Sequence, residues 1–152
     1  MNIRVETSKR TGIANEKGVE ISAFERNWSA ELERRFPNAK RRTDLSASYN
    51  CHGLTFASRR THIFDSPSVN RILSDDDWKE VQPADILPGD IVIYSSDDGD
   101  ANHSGVVVGE VGEGIRLPLI CSKWGNAGEF LHLVNDCPTL YGPITKFYRC
   151  RL

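Results

Sequence analysis

The hydrophobic period changes once along the chain, and that change limits the possible folds more than any other feature. Up to about residue 81 the apolar positions recur at helical spacing. From residue 87 they come in short β-branched runs cut by glycine and proline turns. In AFERNWSAELERRFP, residues 23–37, Phe24, Trp28, Leu32 and Phe36 recur every four positions with charges between them. This predicts an amphipathic helix that buries its aromatic stripe and stops at Pro37. CHGLTFASRRTHIF, opening at Cys51, predicts a second helix of about three turns. Ser74, with Asp77 three residues later, predicts a capped start to a short helix over 74–81. LPGDIVIYS (87–95), HSGVVVGEV (103–111), IRLPLICSKWG (115–125) and ITKFYRCRL (144–152) then read as strands, with Gly112, Glu113 and Gly114 as a turn. The expected fold is α+β, a single domain over 1–152, with N-terminal helices packed on an antiparallel β-meander.

Charge and cysteine usage narrow the function classes. The 19 Lys and Arg against 21 Asp and Glu give a net charge of −2. No basic surface follows from that balance, so no nucleic-acid partner is expected. Lys40-Arg41-Arg42 reads as a solvated loop. No run of about 18 apolar residues occurs, so no membrane association is expected. MNIRVETSKRTG lacks the apolar segment of a secretory leader. The expected location is cytoplasmic as synthesised, with any export as an effector by a dedicated, non-classical route. The four cysteines, Cys51, Cys121, Cys137 and Cys150, show no C-x-x-C spacing. A disulfide framework is not expected, and the last three read as buried thiols. Neither C-x₂₋₄-C nor H-x₃₋₅-H spacing occurs, so neither a metal nor another cofactor is expected. Asp97, Asp98 and Asp100 read as a solvated turn rather than a calcium loop.

The chemistry concentrates in YNCHGL, residues 49–54. Cysteine attacks as its thiolate, and a helix N-terminus favours negative charge. Cys51 follows turn residues and opens a helix, and Gly53 allows close backbone approach. A base is also needed. The His52 side chain is expected to project away from Cys51. His62 would stand about 16 Å along the same helix. His132 falls in a polar loop after the third strand. His103 opens a strand after the polar loop SSDDGDAN and can face a cleft, so it is the best-placed base.

YNCHGL, LPGDIVIY and HSGVVVGEV, in that order, resemble the core of the NlpC/P60 group of papain-like cysteine peptidases. That group typically shows D-C-S-G-L-like, P-G-D-L-V-F-like and H-V-G-I-Y-L-G-like segments. The resemblance covers roughly residues 45–125. It implies a papain-like fold with Cys51 as nucleophile and His103 as general base and then acid. It also puts Tyr49 near the oxyanion, beside the Cys51 backbone N–H. A third polar residue on the next strand would orient the imidazole. If 103–109 pairs with 116–122, Ser122 falls opposite His103; Glu129 and His132 are reserve candidates. Trp124 would form a wall of the site. Asn50 and His52 depart from the group's Asp and Ser, as in a divergent member.

The implied activity is thiol-dependent amide hydrolysis through a thioester, on a peptide or muropeptide substrate such as the peptide stems of bacterial peptidoglycan. Targeting would come from a protein partner, from a delivery system or from the cleft itself. An acyltransferase, transglutaminase-like or deamidase activity on the same fold is the alternative, as is an inactive binding module.

Overall fold

A computed structural model describes residues 2–18 and 20–151. Its first helix, α1 (Ala23–Arg35), opens with a capping box: Ser22 accepts from the Glu25 N–H, and Glu25 accepts from the Ser22 N–H. The helix ends just before Pro37, as the sequence predicts. Only part of its aromatic stripe is core. Leu32 is buried and Trp28 and Phe36 pack half-buried beside it, but Phe24 is 75% exposed. The helix docks by its C-terminal half, which leaves the first turn in solvent.

The second helix is shorter than expected. α2 (Cys51–Phe56) has six residues, because Ser58 and Arg59 take left-handed φ values of 50° and 63° and turn the chain. α3 (Ser66–Asp75) begins well before Ser74. Asp65 caps it by accepting from the Ser68 N–H, and Pro67 occupies its first turn. Asp77, at φ 54°, reverses the chain, and residues 78–81 are extended. The helix expected over 74–81 is therefore the end of α3, a turn and a strand.

That strand is β2 (Trp78–Val81); a two-residue β1 (Lys40–Arg41) precedes it. β3 (Ile91–Ser95), β4 (Ala101–Val111), β5 (Leu117–Lys123) and β7 (Ile144–Cys150) fall where the alternation predicts strands. β6 (Glu129–Leu133) occupies a segment expected as loop. All seven join one antiparallel sheet in the order β1-β6-β5-β4-β3-β7-β2. The expected meander holds for β3, β4 and β5; β6 extends it, and the last strand, β7, pairs on the other side of β3.

Alternation sends side chains to two faces of this sheet. One face carries Ile91, Ile93, Ser104, Cys121 and Lys123, and receives α2 and α3. The other carries Val92, Tyr94, His103, Val107, Ile120, Phe130 and Phe147, and packs against α1 and the 134–141 segment. Both faces are covered, so the central strands are apolar on both sides. His103 and Ser104, adjacent in sequence, point to opposite faces.

Candidate functional site

Cys51 is the first residue of α2 and is buried, with 8% of its surface exposed. Asn50 sets the turn before it. Its Oδ1 accepts from the N–H groups of Gly53 (2.9 Å) and Ile63 (3.1 Å), while its Nδ2 donates to the Ile63 carbonyl (2.8 Å). Gly53 is required by contact: a methyl there would run into the Thr61 carbonyl. Behind the turn, the buried Lys123 ammonium donates to the carbonyls of Ser46 (2.7 Å), Tyr49 (3.1 Å) and Gly125 (2.7 Å). Burial lowers the Lys123 pKa to about 8. The nucleophile turn is thus tied to α2, to residue 63 and to β5.

The thiol sits within the influence of two imidazoles. Burial alone would raise its pKa, but the charge of His52, then that of His103, outweighs it and holds Cys51 well below the ordinary range. Cys121 and Cys137 behave oppositely: burial pushes each up to about 11. All four cysteines are free.

The two histidines are held differently. His103 is 1% exposed and lies parallel to Tyr141, ring centroids 3.7 Å apart, with Tyr94 tilted against it at 5.3 Å. Neither of its ring nitrogens has a hydrogen-bond partner. Among the described residues the one other buried side-chain polar atom in that condition is the Ser29 hydroxyl. His52 is the reverse. Its Nδ1 lies 2.8 Å from Ser104 Oγ and its Nε2 3.2 Å from the Ala101 carbonyl. His52, expected to project away from Cys51, has its ring bound to Ser104 and Ala101, yet its charge lowers the thiol pKa more than that of His103 does. A signal for it was present. His52 and Thr55 share a helix face at i, i+3 spacing, and Ser104 is a polar residue inside an apolar strand run.

The other expected site residues are held by partners of their own. Val106 pairs with Cys121, which puts Ser122 opposite Gly105, two residues from its expected place against His103. The longer β4–β5 turn and an irregularity in β4 between Val107 and Gly109 set this register. Ser122 Oγ contacts His132 Nε2 (2.6 Å) and accepts from Trp124 Nε1 (3.0 Å); it does not touch His103. His132 lies in β6, not in a loop. Its Nδ1 donates to the Leu133 carbonyl, and burial lowers its pKa to about 4. Tyr49 donates to Glu129 (2.5 Å), which also accepts from Arg59. Trp124 is 2% exposed and stacks on Phe130. His62 is fixed to the Glu16 carbonyl and stacks on Phe64.

A groove of about 220 Å³ runs between α1 and the 138–141 segment, lined by Glu25, Trp28, Trp124, Pro138, Leu140 and Tyr141. Tyr141 separates it from His103. The sequence holds no pattern that would single out Tyr141. No group of three or more His, Cys, Asp or Glu side chains among the described residues is placed to hold a metal ion. No helix among them is long and apolar enough to cross a membrane.

No protein-family model, no curated protein and no solved structure matches the chain.

Proposed function

We propose that the chain is a papain-like, thiol-dependent amide hydrolase in which Cys51 is the nucleophile and His103 moves the proton. The observation that carries this reading is His103 itself. A buried imidazole with both nitrogens unpartnered is costly to maintain, and such groups call for a functional explanation. Here it lies within the influence of a thiol at a helix N-terminus whose pKa is lowered against burial.

The chemistry follows from these placements. The Cys51 thiolate attacks the amide carbon, and the carbonyl electrons move onto oxygen. The Cys51 N–H, at the first helical position, has no acceptor within its own helix and can receive that oxyanion. The C–N bond breaks as protonated His103 gives its proton to the leaving amine, which leaves a thioester. Water, deprotonated by His103, then attacks the thioester, releasing the acid and the thiolate. Tyr94 and Tyr141 hold the ring by packing, in place of a hydrogen-bonded third residue. The substrate class, a peptide and specifically a cell-wall peptide stem, comes from the resemblance of the three segments to NlpC/P60 enzymes.

The test is the alkylation rate of each cysteine by iodoacetamide against pH, read by mass spectrometry, in wild type and His103→Ala. Cys51 is expected to react fastest, with an apparent pKa well below about 8.5 that rises in the variant. An ordinary thiol profile in both proteins overturns the reading. A second reading, acyl transfer to an acceptor other than water, is favoured by one observation: Cys51 and His103 are both buried, and His103 packs between Tyr94 and Tyr141. Exclusion of water protects a thioester from hydrolysis.

A further inference from the structure

We infer that His52 is a fixed imidazolium, the resident counter-ion of the Cys51 thiolate, which leaves His103 free as the mobile proton carrier. The inference rests on the reading of Cys51 as a nucleophile and divides the labour between the two histidines.

Hydrogen-bond accounting carries it. Thr55 Oγ1 lies 3.0 Å from the Cys51 carbonyl, which can only accept, so the Thr55 hydroxyl proton is committed there. Thr55 Oγ1 also lies 2.8 Å from Ser104 Oγ. With the Thr55 proton already used, Ser104 must supply the proton of that bond. Ser104 then has no proton left for His52 Nδ1 at 2.8 Å, so the proton in that bond belongs to the ring. At the other end Nε2 faces the Ala101 carbonyl at 3.2 Å, again an acceptor only. Every contact in the chain from Ala101 to Cys51 is satisfied when both ring nitrogens carry protons. A neutral ring leaves one contact without a proton. Ser104 is fully inaccessible, His52 is 2% exposed and Thr55 is partly buried, so an unsatisfied contact at the ring would be costly.

The charged surroundings agree. The charge of Cys51, next to it on the same helix, and that of Asp65, the cap of α3, both act on His52. Burial opposes protonation of His52, but the charge of Cys51, the hydrogen bond with the Ala101 carbonyl and the charge of Asp65 raise its pKa above the ordinary histidine value. The contrast with His103 is functional. A group that must give and regain a proton needs a free nitrogen, which His103 has. A permanent charge needs saturated donors, which His52 has. His52 is accordingly a positioning residue that acts through the thiolate.

The deciding experiment is nitrogen-detected NMR of the wild-type chain labelled with ¹⁵N-histidine, combined with Cys51 alkylation against pH in His52→Gln and Ser104→Ala. The expected result is two protonated nitrogens on His52 at pH 7. In both variants the apparent pKa of Cys51 rises, with at least about a tenfold loss of alkylation rate below the wild-type pKa in His52→Gln. A His52 ring with one lone-pair nitrogen at pH 7 overturns the proposal, and the wild-type spectrum decides this even if the variants do not fold. An alkylation profile that His103→Ala shifts and His52→Gln leaves unchanged overturns the counter-ion role alone. An ordinary Cys51 profile in wild type overturns the nucleophile reading itself.

Discussion

Asn50 shows how much one side chain decides at this site. It accepts from two backbone N–H groups and donates to a third partner, the Ile63 carbonyl. An aspartate could replace the acceptor but not the donor. Asn50→Asp would set a carboxylate against the Ile63 carbonyl and add negative charge one residue from the thiol. The expected loss of stability is about 1–3 kcal/mol, read by chemical denaturation, together with a higher apparent pKa at Cys51. In the sequence, Asn50 is a departure from the residue usual in the resembling group. Its reason becomes visible only when Ile63, thirteen positions on, folds back against it.

At the scale of elements, α2 is a six-residue helix that could not persist alone. It is clamped on both sides by Glu129 of β6. Tyr49, before the helix, and Arg59, after it, both donate to this carboxylate, and Arg59 takes a left-handed backbone to reach it. Burial would raise the Glu129 pKa, but hydrogen bonds from Arg59 and Tyr49 and the charge of Arg59 hold it down at about 2, against 4.5 ordinarily. A lowered folded-state value means that the stabilisation is complete above about pH 4.5 and is lost as pH falls toward 2. Because Arg59 is half-exposed and screened, the contribution is on the order of 2 kcal/mol. Denaturation midpoints should therefore fall between pH 4.5 and 2.5 in wild type. In Glu129→Gln that decline should be smaller, from a lower starting stability. The brevity of α2 was not legible in the sequence, because Ser58 and Arg59 are not residues that announce left-handed turns. The strands β3, β4, β5 and β7 were legible, because alternation and β-branching survive any context.

For the whole molecule, the question is access. The base lies beneath a turn, Thr139–Tyr141, that crosses from β6 to β7 and lays Tyr141 flat on His103. Pro138 precedes this turn, and Gly142, at φ 108°, follows it. A substrate approaching along the groove beside Trp28 meets Tyr141 before it meets His103. Tyr141→Ala should raise the plateau rate of Cys51 alkylation, measured above the thiol pKa, several-fold. The same rate in both proteins would mean that reagent reaches the thiol by another path.

The sequence by itself determined the α+β class, the central meander and the segment in which a cysteine begins a helix. Each of these is local: a period, a cap or a turn residue acts within a few positions. Tertiary structure alone decided which groups meet. It carried Ser122 to Gly105 rather than to His103 through a shift of strand register. It turned Tyr49 toward Glu129, brought Tyr141 over the base, and set His52 against Ser104. Register, side-chain face and long-range hydrogen bonds depend on the relative placement of elements far apart in sequence, and no local pattern encodes that placement.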